Sequence, residues 1–191
     1  PASGPVAGGL GLALSRATSV GEPAIFAWRA DDPEVQISTV AAAGDGVIHV
    51  GSRAHDNADG TWRYEYAVHN ETSARAARSL RVPVAAGSTV TGAAFHDVDY
   101  HSGEPYDGTD WAFTVAAGAM EWATPGHAVN PDGNALRWGT LYGFTVTASA
   151  PPVVTAAGIG SPTPGIIRVP RPAGSICICR YSATAAAAIE L

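Results

Sequence analysis

The chain has 191 residues, 46% of them hydrophobic and only 15% charged, with a formal net charge of −6. That is too apolar for a disordered chain and too thinly charged for a helix-rich surface, and at this length roughly 70% of the unfolded surface can be buried. All eleven basic residues are arginine, which removes the P-loop lysine, Schiff-base chemistry and the serine–lysine dyad, and an acidic chain with scattered arginines is a poor match for nucleic acid. Residues 1–21, rich in Gly, Ala and Ser, read as a flexible arm or linker. Residues 24–29 (AIFAWR) then read as a short apolar β-like run, and residues 35–40 alternate. Residues 46–53 (GVIHVGSR) lead to the turn cluster DNADG at 56–60, and residues 61–69 (TWRYEYAVH) follow. There Trp62, Tyr64, Tyr66 and Val68 share one face, and Arg63, Glu65, Ala67 and His69 the other, the period-two pattern of a half-buried strand in a hairpin. DNADG lacks the downstream glutamate of a calcium loop and reads as the hairpin turn.

Further along, residues 80–85 and 88–95 read as a pair of strands turning at Gly87, with Pro83 pointing to an edge strand or a bulge. After the long polar stretch 97–110, residues 111–116 and 119–123 read as a hairpin around Gly118. Residues 135–138 and 141–148 close the regular part, and Pro151-Pro152 stops it. No segment sustains a 3.6-residue apolar repeat, and about nine short strands at this spacing predict an all-β fold. The expected architecture is a two-sheet antiparallel β-sandwich, jelly-roll or immunoglobulin-like, over residues 22–152, with a C-terminal extension at 153–191. In that extension residues 166–169 and 175–181 read as strands able to join this sheet or a neighbouring molecule's. Cys177 and Cys179, two positions apart, read as small hydrophobes, since neighbours this close rarely form an unstrained disulfide and two thiols are too few for a zinc site. No apolar run reaches the roughly 18 residues of a membrane span. The chain opens at Pro1 without a basic and apolar leader, so an export signal is expected to have been removed or to lie outside this sequence.

Four strings resemble a group of uncharacterised secreted proteins from planctomycete bacteria: DGTWRYEYAVHN (59–70), FHDVDYHSGEPYDGTDW (95–111), NALRWGTLYGFTV (134–146) and PAIFAWRADDPEV (23–35). The resemblance covers about two-thirds of the chain. It implies export and a β-rich extracellular module, and no activity. It also implies that this chain is the C-terminal part of a longer protein, although residues after 160 depart from the group's usual ending.

The segment 95–111 is the most unusual. Asp97, Asp99, Glu104, Asp107 and Asp110 crowd into it together with His96 and His101. Like carboxylates repel, and a bound cation is the usual relief. In an extended run, Asp97, Asp99 and His101 share a face with Phe95, while His96 faces away with Val98. The expected metal ligands are His96, Asp97, Asp99, His101, Asp107 and Asp110. An oxygen-dominated set would take calcium, and a set using the histidines would take zinc, manganese or iron and could activate water, with Glu104 as general base. A solvated, self-capping turn is the competing expectation.

His69 reads as a surface or sheet-partner histidine, and His49, His55 and His127 carry no assignment. Asn70-Glu71-Thr72 is a formal glycosylation sequon read as an accident of composition. Of the five tryptophans, Trp111 and Trp138 adjoin loops and are the candidates for stacking on a carbohydrate, with the others assigned to the core. No G-x-S-x-G elbow is present. The leading expectation is a secreted or cell-surface module, structural or binding, with a divalent cation in the 96–110 loop and self-association through terminal strands. The alternative is a metal-dependent hydrolase of ester or phosphoester bonds using the same loop.

Overall fold

In a computed structural model, which describes residues 19–42, 45–98, 103–160 and 165–172, the alternating run at 61–69 is a strand with its aromatic face inward. Tyr64, Tyr66 and Val68 are buried and Arg63 is exposed. This strand is the middle of a five-stranded sheet built from β1 (Gln36–Ala42), β2 (Gly46–Asp56), β3 (Trp62–Asn70), β8 (Leu141–Ala148) and β5 (Val90–His96), in the order β1-β2-β3-β8-β5. A second five-stranded sheet has the order β10-β9-β4-β7-β6. Its members are β4 (Ser79–Pro83), β6 (Ala112–Ala116), β7 (Ala119–Ala123), β9 (Pro152–Gly160) and β10 (Gly165–Pro172). All pairings are antiparallel, and the two sheets stack as an open sandwich, as the strand spacing predicts.

The core lies between the sheets. Ile48 and Val50 of β2, Tyr64, Tyr66 and Val68 of β3, and Tyr142, Phe144 and Val146 of β8 face Leu80, Val82, Met120, Trp122 and Ile159. Trp122 is the hinge of the aromatic cluster, with ring centroids 4.8 Å from Phe113, 5.5 Å from Phe144 and 6.4 Å from Tyr66. Each such burial contributes about 1.5–3 kcal/mol, and this apolar face is what sets the register of every strand that shares it.

Two hairpins follow the sequence reading. β2 and β3 turn at residues 56–60, where Asp59 Oδ1 accepts from the Thr61 N–H at 2.9 Å and Asn57 N–H reaches Thr61 O at 3.0 Å. β6 and β7 turn at Ala117 and Gly118, both at positive φ (48° and 71°), the two-residue turn whose twist suits a hairpin.

Other readings are corrected. Residues 24–29 are not a strand: α1 (Ile25–Asp31) is a helix that starts after Pro23 and lays Ile25 and Trp28, three positions apart, on the outer face of the first sheet. Residues 80–85 and 88–95 do not form a hairpin. β4 pairs with β7 and β9 in the second sheet and β5 with β8 in the first, and residues 84–89 carry the chain across the sandwich. Each of the two strands has its own apolar side to bury, so they lie on opposite walls of the core. Pro83 does not mark an edge, since β4 is the central strand of its sheet; it is the last residue of that strand. β5 does carry an irregularity, between Thr91 and Ala94. Residues 135–138 are a loop with a single bridge, Leu136 to Ala77. Pro152 opens β9 instead of ending the regular structure, and β9 and β10 extend this chain's own second sheet.

Among the described residues no helix is long and apolar enough to cross a membrane. The expected strand at 175–181, with Cys177 and Cys179, lies outside the described residues, as do residues 1–18 of the expected arm.

Candidate functional site

β5 lies in the first sheet and β6 in the second, and the described parts of the segment between them are residues 97–98 and 103–111. The crossing is pinned by Trp111, 4% exposed, whose indole stacks on Phe95 with ring centroids 5.6 Å apart. Asn134, buried in the opposite loop, organises what lies beneath. Its side-chain N–H groups go to Asp97 Oδ2 and to the Thr109 carbonyl at 3.1 Å, and its Oδ1 accepts from the Tyr142 hydroxyl at 2.8 Å. Its backbone carbonyl accepts from Trp111 Nε1. Burial, then the Asp97 carboxylate, pushes the Tyr142 hydroxyl up to about 12, so it remains a donor at neutral pH.

Further out, Asp107 Oδ2 accepts from Asn130 Nδ2 at 2.6 Å and Oδ1 from the Thr109 N–H at 3.1 Å, while its own N–H goes to the Asp132 carbonyl at 2.8 Å. The Asn130 amide, then the Thr109 N–H, holds the Asp107 carboxyl below the usual carboxylate range. Arg137 lies over the Tyr106 ring and donates to the Gly133 and Ala135 carbonyls. Two loops are thereby laced together, and the carboxylates do the lacing by accepting from amides.

The expected ligand residues divide accordingly. Asp97 and Asp107 meet amides on the 124–140 side. His96 is exposed, with its Cβ over Gly143 on the outer face of the first sheet, away from Asp97. Glu104 and Asp110 are exposed. Asp99 and His101 lie outside the described residues. Among the described residues, no three His, Cys, Asp or Glu side chains come together as a metal-holding group. Of the two tryptophans read as sugar platforms, Trp111 is corrected to core, because the stack on Phe95 and the bond to Asn134 consume it. Trp138 is 71% exposed, projecting from a turn in which the Thr140 N–H reaches the Arg137 carbonyl at 3.1 Å and Gly139 takes φ 75°.

A second constellation was not legible in the sequence. On the outer face of the first sheet the register puts Thr39, His49 and His69 side by side across β1, β2 and β3. His49 is buried; its Nε2–H donates to Glu71 Oε2 at 2.6 Å, and Nδ1 accepts from the Thr39 hydroxyl at 2.9 Å. Because a carboxylate can only accept, the neutral ring carries its proton on Nε2. Together the two bonds fix the tautomer and the orientation of the His49 ring. His69 stacks on His49 with ring centroids 6.0 Å apart and 26° between planes, and its Nδ1 is buried without a hydrogen-bond partner. The signal available in the sequence was parity: His49 and His69 both fall on the polar side of strands that form a hairpin. The pairing register that sets them opposite each other needed the turn length. The sequon is closed for a related reason, since Asn70 is fully buried and its side chain bonds Ser73, Arg75 and Leu136.

Compared with known proteins, the chain matches no protein-family model and no curated sequence.

Proposed function

We propose that this chain is a non-enzymatic extracellular or cell-surface module, of the kind found in the secreted planctomycete group it resembles, that assembles by strand addition. The observation that carries the reading is β6. Among the described residues it is an edge strand, reading AFTVA, with no charge, no proline and no bulge, and its Val115 is 51% exposed. Edge strands are ordinarily blunted by such devices, because their unpaired N–H and C=O groups are a template for another chain. The two-residue turn makes Ala116 and Ala119 a hydrogen-bonded pair, so alternation leaves the backbone groups of Phe113 and Val115 pointing outward. A terminal segment of a second copy would supply the missing strand.

Val115→Pro removes an outward N–H and none that faces β7. The expected outcome is concentration-dependent association of the full chain in sedimentation or light scattering, abolished by Val115→Pro with the unfolding midpoint nearly unchanged. A wild-type chain that stays monomeric at the highest concentration reached, or a variant that associates equally well, overturns the reading.

A divalent cation in the 96–110 loop, calcium in this reading, belongs to the same proposal. The density of carboxylates supports it, while the amide partners of Asp97 and Asp107 offer those two residues another use. Elemental analysis of untreated protein is expected to return calcium at about one ion per chain. A metal-free protein would leave the loop as a purely amide-laced crossover. The alternative function, an ester or phosphoester hydrolase with zinc or manganese and Glu104 as base, would instead return a transition metal and a chelator-sensitive turnover. A carbohydrate partner would stack on Trp138, and Trp138→Ala would then lose polysaccharide binding without loss of stability.

A further inference from the structure

The helix α1 is held to the outer face of the first sheet at three points. In the middle, Trp28 rests on Gly51, where an added Cβ would stand 2.9 Å from Cζ3 of the indole. At the C-terminal end, Asp32 Oδ2 accepts from Arg53 Nε at 2.8 Å, and Glu34 pairs with the same guanidinium. His55, Arg63 and Glu65 continue that charged row, with His55 Nε2 3.0 Å from Glu65. Near the N-terminal end, Phe26 stands edge-on to His49 with ring centroids 5.1 Å apart, and Arg29 of the same helix covers the Phe26 ring. On its other side the His49 ring stacks on His69.

The two imidazoles respond differently to a proton. His49 is satisfied in either state: neutral, Nδ1 accepts from Thr39; protonated, Nδ1–H donates to the same oxygen, with Glu71 bound to Nε2 throughout. His69 is not. Its Nδ1 is buried and without a partner, which a lone pair tolerates better than an N–H. Its cross-strand neighbours are His49 on β2 and Leu141 on β8, so no carboxylate faces it across the sheet. Glu71, the acidic group that acts on it, is already bonded to His49. Burial first, and then His49, holds the His69 imidazole below the usual histidine range, with Glu71 opposing them.

We propose that the His49–His69 stack is an acid-operated latch for α1: a proton on His69 breaks the stack, leaves the ring that seats Phe26 without its stacked neighbour and loosens the helix over Ile25 and Trp28. The direction follows from linkage. A histidine held below its unfolded value near 6.5 contributes stability that is present above that pH and is lost as pH falls through the folded value. The competing titratable group is His55, which desolvation, then Arg53 and Arg63, also hold down, at the opposite end of the helix.

Hydrogen–deuterium exchange of the full chain, corrected for intrinsic rates, reads the latch directly. Between about pH 7.5 and about pH 5, amide protection across residues 25–31 is expected to fall by about tenfold. His69→Phe, which keeps a stacking ring and cannot titrate, is expected to change less than about twofold over the same range. His69→Gln gives a second non-titrating variant should the phenylalanine pack poorly, and His55→Gln is expected to behave as wild type. Protection of α1 that is the same at both pH values, or pH dependence that survives in the His69 variants, or dependence abolished by His55→Gln, overturns the proposal.

Discussion

Asn134→Ala is expected to cost the fold on the order of 3 kcal/mol, because it removes three hydrogen bonds centred on a buried amide, one of them to a carboxylate. The amide serves Asp97 and the Thr109 carbonyl and receives the Tyr142 hydroxyl, and among the described residues the last has a second acceptor, Ala135 O at 3.2 Å. Urea unfolding is the measurement: the midpoint falls, and the slope holds if the unfolded state is unchanged. Asn134→Asp sharpens the test. It sets a carboxylate against Asp97, so like charges repel at neutral pH and one of the pair takes up a proton well above the usual carboxylate range. A group held up in this way costs stability at neutral pH and costs less as acid supplies the shared proton. Asn134→Asp is therefore expected to be the worse variant near pH 7 and to recover relative to wild type as pH falls toward 4 (a window set by the free carboxylate value, about 4). An Asn134→Ala midpoint equal to wild type would mean that the two loops are laced by something other than this amide.

Gly46→Ala is the second large effect, expected at about 3 kcal/mol or more, since overpacking against backbone has little room to relax. A Cβ at Gly46 would stand 2.4 Å from the carbonyl carbon and oxygen of Thr72 and 2.5 Å from Cα of Ser73. That turn is stitched to the start of β2: Glu71 N–H and Val47 O at 3.0 Å, Val47 N–H and Thr72 Oγ1 at 2.9 Å, Ala74 N–H and Asp45 Oδ1 at 3.0 Å. For a chain of this size the thermal midpoint should drop by about 10 °C. Because Glu71 rides on the displaced turn, the His49 ring resonances should shift as well. A Gly46→Ala protein that melts with wild type would show that the turn is free to move away. Gly60→Ala is the useful comparison. Unlike Gly46, it would place a side chain at positive φ (85°) but into open space, and so shows backbone strain without collision.

The outer face explains why α1 was misread. AIFAWR is short and apolar, and a run of that length suits a buried strand as well as two turns of helix. What selects the helix is tertiary: Gly51 leaves a bare spot on the sheet that Ile25 and Trp28 can cover only at helical spacing. The false hairpin at 80–95 has a related origin. Two apolar runs around a glycine turn look alike whether the strands pair with each other or face each other across a core. The difference lies in which other strands claim their backbone groups, here β7 and β9 for one and β8 for the other. The acidic loop was legible as a concentration of charge, but its partners were not. Asn130 and Asn134 are ordinary loop residues until the fold brings them beneath Asp107 and Asp97.

The period-two pattern of residues 61–69, the spacing of the turns and the absence of a helical repeat were enough to dictate an antiparallel sandwich. Alternation is a local consequence of strand geometry, and one face had to be buried. The assignment of strands to sheets, the meeting of His49 with His69, the commitment of Asp97 and Asp107 to amides and the place of β6 at the end of the strand order among the described residues were decided only in three dimensions. Each depends on which backbone groups find partners across the core or across a register, and those partners lie far away in the chain.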